Sequence, residues 1–141
     1  MREQFDKLMK AFCLLVKLPD AQPFIEGASF DVDGTNCAIL FNEKVDANRC
    51  FVYADFGQPP PENETQVFYE LLRQNFAAAA NTGPTYTIST LTGHVVHVEK
   101  FELMTTGAEA LADAMANIAS RASDWRKTRF LTGDFVLPRQ A

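Results

Sequence analysis

Apolar residues between Glu3 and Val16 recur at steps of three and four: Phe5, Leu8, Met9, Phe12, Leu15 and Val16, with Lys7, Lys10 and Lys17 off the stripe. This spacing predicts an amphipathic helix that Pro19 stops. Residues 19–27 hold Pro19, Asp20, Pro23 and Gly27 and read as a connecting loop. The period then shortens to two. Phe30 and Val32 alternate with Asp31 and Asp33, Asp33-Gly34 supplies a turn, and Cys37, Ile39 and Phe41 alternate with Ala38 and Leu40. That pattern predicts a hairpin whose second strand is apolar on both faces. A third strand, Arg49 to Phe56, places Cys50, Val52, Ala54 and Phe56 on one side and Phe51 and Tyr53 on the other. One helix layer covers one face of an antiparallel sheet, so strands apolar on both faces call for a second cover, from another helix or from a partner chain.

Pro59-Pro60-Pro61 blocks further strand pairing and stiffens the approach to a second helix. Asn63 with Gln66 can cap that helix, and Val67, Phe68, Leu71, Leu72, Phe76 and Ala79 form its stripe, with Asn81 to Pro84 as its stop. Tyr86 to Leu91 and His94 to Leu103 predict a second hairpin about Thr92-Gly93. Thr106-Gly107-Ala108-Glu109 fits a capping box and opens a last helix through Leu111, Met115, Ile118, Ala122 and Trp125. Residues 130–141 show no period and read as a tail. The order is helix, three strands, helix, two strands, helix: an α+β chain with one domain over 1–129.

Composition narrows the partners. A chain of 141 residues, 47% apolar with 12 Phe, fits a single globular core. No apolar run approaches the ~20 residues of a membrane span, and the N-terminal run lacks a cleavage site, so a cytoplasmic protein is expected. The net charge of −5 disfavours nucleic acid, and the late basic residues Arg121, Arg126 and Lys127 suit the end of a helix. Cys13, Cys37 and Cys50 lack a paired spacing and read as buried thiols. His94 and His97, three apart in a strand, point to opposite faces and do not share a metal. No metal or cofactor is expected.

Asp31-Val32-Asp33-Gly34-Thr35 carries the one enzyme-like phrase. It matches the first motif of haloacid-dehalogenase phosphatases, with Asp31 as nucleophile, Asp33 as acid/base and magnesium between them. That chemistry needs a buried parallel strand before the loop and a helix after it. Here Glu26-Gly27-Ala28-Ser29 precedes and a strand pattern follows, so the expected reading is a hairpin whose aspartates face outward, and not an enzyme. A monomeric α+β domain with a small-ligand pocket is a further alternative.

Taken in order, the first-helix stripe, the Phe30–Leu40 hairpin, Leu71-Leu72-Arg73-Gln74-Asn75-Phe76, the Thr92-Gly93 hairpin and Trp125 resemble the class I type III secretion chaperones, the Tir-chaperone family. The resemblance runs from about residue 3 to 129. It implies a twisted antiparallel sheet with packed helices in a bacterial cytoplasmic homodimer. It also implies a function: binding the N-terminal segment of a secreted effector and keeping it non-globular without ATP. On that fold the candidate effector-binding residues are Phe12, Leu15, Ala38, Leu40, Phe51 and Tyr53. The candidate dimer contacts are Val67, Phe68, Tyr69, Leu71 and Tyr86.

Overall fold

The computed structural model of the chain describes residues 1–80 and 83–128. The helix stop expected at Asn81 and the tail 130–141 lie outside these residues. Helix α1, Arg2–Leu15, buries Phe5, Leu8, Met9, Phe12 and Cys13, the stripe its period dictates. It closes before Pro19. Lys17 takes the left-handed conformation (φ 64°), and the Leu18 N–H donates to the Cys13 carbonyl at 2.9 Å, satisfying one of the carbonyls a helix end leaves open.

Strands β1, Phe30–Val32, and β2, Thr35–Leu40, are joined by Asp33 (φ 48°) and Gly34 (φ 88°) alone. Two positive φ values in a two-residue loop define the turn whose twist matches that of paired strands, and Val32 pairs with Thr35 across it. Strand β3, Arg49–Gly57, follows β2 antiparallel. After a short 3-10 turn at Pro61–Asn63 come α3, Glu64–Ala80; β4, Thr85–Ile88; β5, Val95–Glu102; and α4, Ala108–Thr128. The sheet runs β1-β2-β3-β5-β4, antiparallel throughout, with β1 and β4 at its edges.

One sheet face is covered. Cys37, Ile39, Cys50, Val52, Ala54, Phe56, Val95 and His97 meet the buried stripes of α1 and α4, among them Leu111, Met115, Ile118, Ala122 and Trp125. At about 1.5–3 kcal/mol for each fully buried large side chain, this layer is the main source of stability. Phe56 sits at its centre, its ring 5.4 Å from His97, 5.7 Å from Tyr86 and 5.9 Å from Trp125. Arg126 extends from α4 to donate to the Thr35 hydroxyl at 2.9 Å, tying the last helix to the start of β2.

Three local expectations change. The loop read over 19–27 contains a one-turn helix, α2, Gln22–Ile25, started by Pro23 in its first turn; Phe24 packs edge-on against Phe30 at 5.4 Å. Strand β4 ends at Ile88 and not at Leu91, because the Ser89 hydroxyl accepts from the Leu91 and Thr92 N–H groups and diverts the backbone into a turn. Helix α4 begins at Ala108, where the Gly107 carbonyl accepts the Leu111 N–H, one residue later than a cap at Thr106 would give.

Candidate functional site

The two edges of the sheet differ. Helix α3 lies along β4, and Asn75 on it turns its amide to that strand: the Tyr86 N–H donates to Asn75 Oδ1 at 2.6 Å, and Asn75 Nδ2 donates to the Tyr86 carbonyl at 2.9 Å. The side-chain amide thus takes both outward main-chain groups of Tyr86, at the middle of the β4 edge. Strand β1 has no such cover. Since Val32 and Thr35 flank a two-residue turn, they exchange hydrogen bonds, and the next pair, Asp31 and Asn36, does not. The N–H and carbonyl of Asp31 therefore point away from β2, toward the open edge.

Beside that edge lies an apolar cavity of about 270 Å³, walled by Phe12, Val16, Phe30, Val32 and Met115 and bordered by Asp31 and Asp33. The helix end next to it is apolar and exposed at Leu14, Leu15 and Val16. The uncovered sheet face is a second apolar surface. Ala38 pairs with Tyr53 and Leu40 with Phe51, while Tyr53 and Phe51 pair with Val98 and Lys100. Leu40 is 38% and Tyr53 37% exposed. Polar pairs frame this strip: the ion pairs of Arg49 to Glu102 (2.7 Å) and Asp46 (3.0 Å) at one end, and the His94 Nδ1 to Asp55 Oδ1 hydrogen bond (3.0 Å) at the other.

The outer side of α3 is a third apolar surface. Tyr69, Leu72 and Phe76 are 62%, 68% and 61% exposed, and a hollow of about 410 Å³ between α3 and β4 is lined by Phe68, Leu72, Tyr86 and Ile88 among others.

These placements sort the residues singled out from the sequence. Leu15, Ala38, Leu40, Phe51 and Tyr53 reach the surface wholly or in part. Phe12 is a core residue, 1% exposed, whose ring forms the cavity wall. On α3, Tyr69 is exposed and Phe68 half-buried, whereas Val67 and Leu71 point into the chain's own core, as does Tyr86 on β4. Leu72, Phe76 and Ile88 complete the exposed α3 surface but were absent from the sequence-derived set; Leu72 and Phe76 belonged to the helical stripe, which is wider than the one strand that α3 covers.

The chemistry-bearing residues are accounted for by structure. Asp31 Oδ2 accepts the Gly34 N–H at 3.1 Å, the ordinary task of an aspartate before a turn. A strand, not a helix, follows, and the sheet is antiparallel, so the nucleophile loop that the phosphatase alternative requires is not formed. His97 is buried, with Nδ1 3.2 Å from the Tyr86 hydroxyl and Nε2 3.0 Å from Glu99. His94 lies on the opposite face. Cys13, Cys37 and Cys50 are unpaired by disulfides and buried. Burial pushes the Cys37 thiol up to about 12, with Asp31 adding to the effect, and the Cys50 thiol up to about 11. Among the described residues no group of three or more His, Cys, Asp or Glu side chains could hold a metal, and no helix is long and apolar enough to cross a membrane.

The fold is thus a five-stranded antiparallel sheet with helices on one face, one edge covered by α3 and the other open. The profile of the Tir chaperone protein (CesT) family matches residues 9–126, and the chain belongs to that family. Solved structures share the fold. A chain of the ExsC–ExsE complex superposes with a TM-score of 0.70 at 18% identity, over 90% of this chain and 94% of that one. The Yersinia pestis type III secretion chaperone SycH in complex with a stable fragment of YscM2 gives 0.60 at 14%, over 85% and 98%. The HopA1–SchA chaperone–effector complex gives 0.58 at 16%, over 89% and 95%. No curated protein sequence matches the chain significantly.

Proposed function

We propose that this protein is a type III secretion chaperone of the bacterial cytoplasm, which binds the N-terminal segment of a secreted effector as an extended chain and keeps it non-globular without nucleotide or catalysis. Residues 1–129 act as one unit, with 130–141 appended. The observation that carries the reading is the open edge of β1 beside an apolar cavity, in a chain of this family. A strand added to β1 would take up the main-chain groups of Asp31. Its side chains would alternate, one set entering the cavity walled by Phe12 near Leu15, the other turning toward the open face of Ala38, Leu40, Phe51 and Tyr53. Burial of client side chains would supply roughly 25 cal/mol per Å², less the cost of ordering the segment. The neighbours support a binding role in that complexes are what was solved for them.

The exposed side of α3, Tyr69, Leu72 and Phe76, with Phe68 and Ile88, is our candidate for the contact between two copies in a homodimer. Val67, Leu71 and Tyr86 would support that surface from beneath.

Co-expression with secreted proteins of the same bacterium tests the function. The expected result is a stable complex in which protease spares only an N-terminal effector segment, and in which that segment gains no independent fold. Binding confined to folded effector domains, or no complex with any secreted protein, would overturn it.

A further inference from the structure

Two aspartates, Asp31 and Asp33, lie on the backbone that borders the apolar cavity at β1. Asp31 and Asp33 are both exposed, and neither has an ion-pair partner among the described residues. Asp33 occupies the turn itself. Asp31 sits between Phe30 and Val32, whose side chains point to the helix layer and line the cavity. By the alternation of a strand, its own carboxylate projects to the opposite, uncovered side.

We infer that the bound segment is read by charge as well as by shape: the residue next to the apolar side chain that enters the cavity is a lysine or arginine, set against Asp31 and Asp33. This rests on the reading of the protein as a chaperone for extended segments. The geometry fixes the spacing. In a strand paired to β1, a side chain that drops into the cavity points to the helix layer, so its immediate neighbours in sequence point to the side where the Asp31 carboxylate lies. Directly opposed residues on paired strands bring their Cβ atoms to about 5 Å, within reach of a long basic side chain. A client therefore alternates apolar and basic residues over this short stretch. An acidic residue at the same place would be repelled, which gives discrimination between otherwise similar apolar segments. The net charge of −5 assists encounter with such a segment.

The test uses the full chain and a phage-displayed library of random short peptides. The double variant D31N/D33N removes charge without removing structure. Asparagine at 31 can still accept the Gly34 N–H, and asparagine at 33 tolerates a positive φ. Its melting temperature should match the parent. Peptides selected on the parent should carry Lys or Arg next to an apolar residue, and at low salt they should bind D31N/D33N about fivefold more weakly. High salt should erase that difference. Changing the basic residue of a selected peptide to glutamate should weaken binding to the parent and leave binding to D31N/D33N little changed. Ala116→Trp, which fills the cavity from α4, should abolish binding to both. Selected peptides without basic enrichment, or with equal affinity for parent and D31N/D33N, overturn the charge reading and leave the chaperone reading standing. Peptides that survive Ala116→Trp place the site elsewhere and overturn it too. A peptide that splits a dimer as it binds would assign the β1 edge to a second copy, again against the proposal. A library from which nothing binds overturns the charge reading alone, since the chaperone reading is decided by the co-expression test.

Discussion

A thiol shut away from water holds its proton more tightly, and this ties the fold to alkaline pH. Cys37 and Cys50, ordinarily near 9.0, are raised by burial to about 12 and about 11. Below pH ~9 both the folded and unfolded chains keep these protons, so the contribution to stability is complete. Above it the unfolded chain releases them first, and stability falls as pH rises toward the folded values. Each thiol can cost up to ~1.4 kcal/mol per pH unit in that window. Tyr86, also raised chiefly by burial, adds to the loss at the upper end. Urea unfolding should therefore give constant midpoints from about pH 7 to 8.5 and decreasing ones above pH 9, and Cys50→Ala should flatten the decrease. Thiol reagents should react with Cys50 only as the chain unfolds. The inward direction of Cys37 and Cys50 was legible in the sequence, since both alternate with outward residues in period-two runs. The role of Asn75 was not. An amide on a helix surface carries no pattern, and only the placement of α3 against β4 makes it a partner for Tyr86.

Two glycines separate backbone strain from crowding at the level of elements. Gly34 (φ 88°) turns the β1–β2 hairpin with open space around it, so Gly34→Ala meets only the left-handed penalty of roughly 1–2 kcal/mol. Gly27 (φ 96°), where α2 hands the chain to β1, would place a Cβ 2.6 Å from Leu40 Cδ2, the far end of a part-exposed side chain, and adds the small cost of turning that side chain aside to the same penalty. Gly27→Ala is thus expected to lower the unfolding free energy more than Gly34→Ala, and Gly34→Asn to cost least, as denaturant titration will read. The hairpin was plain in the sequence because Asp-Gly sits between two alternating runs. Helix α2 escaped because four residues span barely one turn, too few for a period to register, and its Pro23 reads equally as loop and as helix start. The apolar stripe of α3 misled for a different reason. At the sheet edge the helix meets one strand, so Val67 and Leu71 are buried while Leu72 and Phe76 on the same stripe are left outside.

For the whole molecule, the order of the main elements followed from periodicity and the family from the order of its motifs, whereas the two-sided apolar strands left open whether a helix or a partner covers the second sheet face. Which apolar surface serves which partner did not follow, because side-chain alternation records burial without recording by whom. If α3 joins two copies, Leu72→Glu with Phe76→Glu should give a monomer by sedimentation with its melting curve little altered, since both side chains are already exposed in the single chain. Such a monomer should still bind clients at β1. The Asn75 amide on Tyr86 has a consequence for the scale beyond one molecule. A sheet with two open sides is a repeating unit, able to grow at both ends without limit. Here one end is stoppered by a side chain from within. A strand accepted at β1 meets no equally open edge at β4, so addition of a second strand there is disfavoured, which suits a protein that holds unfolded chains without seeding their polymerisation.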